Sequence, residues 1–143
     1  MKHQKLPDAD THVLICETGD EVMTTLTDFA QRNKIHAGHF TAIGAFRSAV
    51  LAYFDWERKE YHDIPVDEQI EVLVLAGDIA WKDDRAVVHA HAVLGRRDGS
   101  TRGGHLIRGS VRPTLEIMLQ AGGALQKRFD PESGLALIAP PAD

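Results

Sequence analysis

Residues 85–107 hold the side chains of this sequence best suited to chemistry. His89-Ala90-His91 sets two imidazoles two positions apart. In an extended strand residues i and i+2 share one face, about 6.6 Å apart along the chain. Imidazole nitrogens bind a divalent cation at ~2.0–2.1 Å, so two rings on one face can converge on one ion. His105 is a third candidate ligand, downstream of Asp98-Gly99, a pair that favours a tight hairpin turn. An all-imidazole set suits zinc first and other divalent ions after it. The plain alternative is a solvated polar strand face, with two histidines that bind nothing.

The turn decides between these readings. A two-residue loop at Asp98-Gly99 sets His105 opposite Ala92 and points it to the wrong side of the sheet. One residue more or fewer in the loop, or a bulge at Gly103-Gly104, sets it beside the histidine pair instead. Two consecutive glycines can form such a bulge without backbone strain.

The surroundings of the histidines are basic. Residues 85–112 contain Arg85, Arg96, Arg97, Arg102, Arg108 and Arg112 against the single acid Asp98, a local charge of +5 in a chain whose net charge is −5. Arg96, Arg97, Arg102 and Arg108 are therefore candidates for holding an anion or a partner. Guanidinium groups that only keep a hairpin soluble are the competing explanation. Glu71 and Asp78 fall within an apolar run. A buried carboxylate needs a partner, so both are candidates for the shell around an ion, Glu71 first.

These groups must be positioned by a small fold. The chain has 143 residues, 43% hydrophobic and 26% charged, the size and composition of a single domain spanning 1–143 with a core over about 11–138. An overall acidic chain is not a general nucleic-acid gripping surface. Cys16 has no partner for a disulfide and reads as a core thiol. The charged N-terminus and the lack of a long apolar run lead us to expect a cytoplasmic protein without membrane contact. Nucleophile elbows, phosphate loops and dinucleotide fingerprints are absent from the sequence.

Val22, Leu26, Phe29 and Ala30 recur at helical spacing, and Thr18 with Glu21 fits a capping box. They predict one long amphipathic helix over about 20–33. Strand patterns cover the rest. Thr11–Cys16 comes first, then residues 39–55 as two strands or one long strand, bulged or bent at Gly44. Tyr61–Ile64 reads as an edge strand and Ile70–Ala80 as a strand apolar on both faces. Val87–Leu94, its return and a final short pair complete the series, with a run over 115–119 that suits helix or strand and reads as strand because it continues a meander. The fold class expected is α+β, an α/β sandwich whose predominantly antiparallel sheet carries one long helix.

Four stretches carry a resemblance. Phe40-Thr41-Ala42-Ile43-Gly44-Ala45-Phe46, Glu68-Gln69-Ile70-Glu71-Val72-Leu73 with Gly77, Val88 to Gly95 around the histidine pair, and Gly103-Gly104-His105-Leu106 follow in order. Together they resemble the PPC (plant and prokaryote conserved) domain, the domain joined to AT-hooks in plant nuclear proteins, over about 11–138. The resemblance implies a homotrimer with a divalent ion, zinc or another, held by His89, His91 and His105. It also implies association with DNA or regulatory proteins, although this sequence has no AT-hook and no basic tail.

Two functional expectations follow. In one, the protein is a trimeric metal-binding module that contacts DNA or regulatory partners. In the other, the ion is catalytic in a hydrolase or lyase, with Arg97 or Arg102 holding a small anionic substrate.

Overall fold

A computed structural model describes residues 2–5 and 10–139. Among them run the strands β1 (Lys2–Lys5), β2 (Thr11–Glu17), β3 (Gly38–Asp55), β4 (Glu60–Val66), β5 (Ile70–Lys82), β6 (Arg85–Gly95), β7 (Thr101–Ala121), β8 (Gln126–Phe129) and β9 (Ala136–Ala139), with helix α1 (Val22–Arg32) between β2 and β3. All nine strands belong to one sheet. No helix among the described residues is long and apolar enough to cross a membrane.

This corrects the expected α+β sandwich. Among the described residues the protein is a predominantly sheet fold with one short helix. The helical periodicity is real, with Val22, Leu26, Phe29 and Ala30 buried, but α1 has 11 residues. Glu21, rather than Thr18, caps it, its carboxylate accepting from the backbone N–H of Met23 at 3.1 Å and Thr24 at 2.9 Å. Those bonds satisfy two of the N–H groups that a helix start leaves without partners. At the other end Asn33 Nδ2 donates to the Phe29 carbonyl at 2.9 Å.

Two long bent strands organise the sheet. β3 and β7 pair antiparallel from Gly38↔Ala121 to Ala52↔His105. β5 joins β3, β6 joins β5, and β6 returns to β7, so the pairings close a circuit. The bend in β3 lies at Gly44, where the register against β5 shifts and φ is +150°. A Cβ at Gly44 would overlap the Thr114 carbonyl oxygen, so only glycine lets β7 come this close.

One face of this sheet and α1 enclose the core. Leu14, Leu26, Phe40, Phe46, Leu51, Leu94, Leu106 and Leu115 are fully buried, and removing each such side chain from water contributes about 1.5–3 kcal/mol. Cys16 lies in this core, where burial pushes its thiol up to about 11.

β5 departs from expectation. Its apolar residues at both parities predict burial on two faces, yet Leu73 and Val74 are each 48% exposed. Only one face of β5 meets the core, and a register shift between Val72 and Val74 turns both Leu73 and Val74 to the outside of the circuit.

Candidate metal centre

β6 presents its two faces differently. Ala90, Ala92 and Leu94 are buried in the core, so the alternate positions His89, His91 and Val93 lie on the outer face. The turn after β6 is a three-residue loop, Arg97-Asp98-Gly99. Arg96 N–H donates to the Ser100 carbonyl at 2.8 Å and Gly99 N–H to the Arg96 carbonyl at 2.9 Å. Gly99 closes the loop with φ +81°, the left-handed residue such loops use. Asp98 Oδ1 braces the turn by accepting from Ser100 N at 2.9 Å and Oγ at 2.6 Å.

This loop is one residue longer than the simplest hairpin, and it sets His91 opposite His105. The pairing 91↔105, 92↔104, 93↔103 runs without a bulge. Gly104 serves another purpose: a Cβ there would come within 2.8 Å of the Ala52 carbonyl oxygen on β3.

The three imidazoles meet on one face. A nitrogen from each of His89, His91 and His105 lies within 4.8 Å of the others. His89 Nε2 and His91 Nε2 are 3.2 Å apart. Two nitrogens bound tetrahedrally to one ion at ~2.0–2.1 Å stand about 3.3 Å apart, so this spacing already suits a shared ion.

Asp78 on β5 faces His89 across the ladder, and its Oδ2 lies 3.3 Å from His89 Nδ1. A carboxylate can only accept, so Nδ1 carries the hydrogen and Nε2 keeps a free lone pair toward the triad. A carboxylate behind a ligating histidine is the usual partner in metal sites. Asp78 Oδ1 forms an ion pair with Lys127 Nζ at 3.3 Å, without hydrogen-bond alignment.

Protonation favours metal binding. Burial, then the neighbouring His89, His91 and Lys127, lowers His105 to about 4. Burial and then His89 lower His91 as well. Both rings are neutral at pH 7, the state a metal requires. His105 Nδ1 is buried without a hydrogen-bond partner, an orphan that an ion or a water on it would satisfy. On these observations the residues fit a divalent ion, and the all-nitrogen donor set fits zinc.

The other expected residues lie elsewhere. Glu71 stands at the far end of β5, opposite Gly95, while Asp78 stands opposite His89, so the carboxylate beside the triad is Asp78. Arg96 Nε pairs with Glu68 Oε1 at 2.6 Å, Arg97 sits in the hairpin loop, and Arg102 faces Leu94. Arg108 faces Val50 and lines a separate cavity with Glu21 and Asp67. Arg97 and Arg102 are exposed on the β6–β7 hairpin, and none of the four arginines converges on the histidines.

Two residues at the site escape a reading of the sequence. Lys127 on β8 reaches Asp78, and the Tyr61 ring on β4 lies 4.8 Å from that of His105. Both arrive through long-range strand pairing, and neither has a local signal in the sequence. Two other histidines are structural: His12 is buried edge-on to Phe29, and His36 stacks on Trp81.

Residues 4–122 match the Plants and Prokaryotes Conserved (PCC) domain, and the chain belongs to that family. A metal-containing protein from Archaeoglobus fulgidus is 36% identical, with a TM-score of 0.84 over 91% of this chain and 93% of that one. A plant- and prokaryote-conserved (PPC) protein from Pyrococcus horikoshii is 32% identical, with a TM-score of 0.85 and 92% of each chain covered. A candidate DNA-binding protein from Ralstonia eutropha JMP134 is 26% identical, with a TM-score of 0.90 over 98% of this chain and 96% of that one. The bifunctional protein GlmU of Synechococcus sp. (strain JA-3-3Ab) is 30% identical over 122 residues, which span 81% of this chain and only 18% of that protein.

Proposed function

We propose that this protein is a homotrimer that binds one divalent ion per chain, zinc foremost, through His89, His91 and His105, and acts as an interaction module at DNA or regulatory proteins. The convergence of three imidazoles within 4.8 Å carries the metal reading, and the archaeal relative known as a metal-containing protein supports it. A bound ion would supply a Lewis acid with a fourth position open to water or a ligand. The chain's own part is to hold the rings: Asp78 orients His89, and the β6–β7 register presents His105.

The trimer rests on the outer face. Met118, Thr41, Ala76 and His91 lie in one row across β7, β3, β5 and β6, and the Val74–Val93 pair lies beside it. Ile43 on the same face is 62% exposed, Met118 and Val74 each 48% and Val93 41%. An apolar patch of this kind marks an interaction surface, and association of identical chains covers it on every copy.

An interaction role fits better than catalysis. Asp78 is the carboxylate beside the triad, and His89 and Lys127 already engage it, so it orients rather than shuttles protons. The basic β6–β7 hairpins, three to a trimer, would supply cations for phosphates, and the Ralstonia relative is a candidate DNA-binder. Duplex titration tests this. We expect micromolar affinity at about 50 mM salt, falling with a slope near −0.9 per neutralised phosphate. Absence of duplex binding there removes DNA and leaves protein partners.

A further inference from the structure

A cavity of about 380 Å³ opens against the triad. His89, His105 and Tyr61 line one part of it, Asp78 and Lys127 another, and apolar residues, Val87, Leu137 and Ile138 among them, the rest. We propose that this cavity binds a small organic carboxylate with a short apolar tail, an inference that rests on the metal reading above. The carboxylate would lie toward the ion and Lys127, with the tail against Val87 and the β9 side chains.

Charge selects the anion. The Lys127 side chain is only 6% exposed, and a buried ammonium requires compensation. Asp78 provides it while also holding His89, so one carboxylate serves two partners. Lys127 Nζ has three N–H groups, and Asp78 does not exhaust them. A divalent ion and Lys127 outweigh the single negative charge of Asp78. The cavity is therefore an electropositive recess once the ion is bound.

The walls select the rest of the ligand. The side chains of Val87, Leu137 and Ile138 offer no hydrogen bonds, so a phosphate packed against them would leave oxygens unpaired. A short hydrocarbon loses nothing there and gains burial. The volume stands near the lower end of the range of about 300–1,000 Å³ for small-molecule sites, which points to a ligand of few carbons. None of the arginines of the β6–β7 hairpin lines the cavity, so this anion site is separate from the proposed DNA-facing edge.

Calorimetric titration of the zinc-loaded protein with acetate, isovalerate, isovaleramide and inorganic phosphate tests the assignment, with zinc content measured on every sample. We expect isovalerate to bind one per chain, about tenfold more tightly than acetate, the amide or phosphate. Lys127→Met should keep its zinc and lose about tenfold in isovalerate affinity. Should that variant not fold, the cobalt(II)-loaded wild-type protein gives an independent reading, because isovalerate at the ion shifts the visible absorption bands. Zinc-replete wild-type protein that does not prefer isovalerate over the amide and phosphate overturns the carboxylate site and leaves the ion in place. Wild-type protein that takes up no zinc overturns the metal reading and the carboxylate site with it.

Discussion

His91 stands directly opposite His105 across the β6–β7 ladder, and a three-residue turn sets that pairing. A register slip of one residue would send the His105 ring to the core face. The candidate metal centre therefore depends on Arg97-Asp98-Gly99 as much as on any imidazole, because Gly99 at φ +81° closes the loop that aligns the strands.

Asp78 orients His89 through the 3.3 Å contact to Nδ1. Asp78→Asn should weaken zinc binding about 10–100-fold, the usual cost of losing such a partner. Glu71→Gln, changed at the far end of the same strand, should leave affinity unaltered. Competition with a chromophoric chelator measures both, and equal losses would contradict the assignment of Asp78.

The pH dependence of the metal-free protein follows from His105. Its folded value of about 4 lies below the ordinary 6.5, so the unfolded chain takes up a proton first as pH falls. The stabilising contribution is complete above about pH 6.5 and is lost as pH drops through that value toward about 4. His91, also lowered, acts in the same direction. The urea midpoint should fall from about pH 7 to about pH 4.5, and the fall should be smaller in His105→Gln. Identical pH profiles for the two proteins would contradict this.

Gly77 lies on β5 between the residues opposite His91 and His89. A Cβ there would overlap the His89 carbonyl oxygen and the Phe40 ring. Gly77→Ala should cost about 1–3 kcal/mol through overpacking and weaken metal binding by displacing β6. Denaturant unfolding of the metal-free protein checks the first effect, and an unchanged midpoint would show that β5 and β6 separate freely.

The outer apolar face gives a prediction about assembly. Met118→Glu places a charge on a side chain that is 48% exposed in one chain and would be desolvated between copies. Light scattering should show a trimer for the wild type and monomers for the variant, with similar far-ultraviolet circular dichroism. A monomeric wild type at micromolar concentration would remove the trimer.

Much of this was legible before any coordinates. The His-x-His face of β6 and the bend at Gly44 follow from residue periodicity and glycine placement, whereas 115–119 suits helix or strand by itself and reads as strand only because it continues a meander. The helix was overextended because Thr18 and Glu21 fit a capping box, while the contest at that end was won by Glu21 bonding to its own first turn. Two-sided burial of β5 was expected from composition, which does not say whether the second cover is this chain or another copy. Asp78 and Glu71 looked alike as acids in an apolar run, and only the β5–β6 register separates them. Lys127 stayed hidden, because nothing near residue 127 signals a contact with residue 78.

Elemental analysis of the purified protein beside His105→Ala tests the central claim most directly. We predict one zinc or other divalent ion per wild-type chain and near-complete loss in the variant, with the fold retained by circular dichroism. Equal metal content in the two proteins, or none in either after zinc loading, would contradict a three-histidine centre.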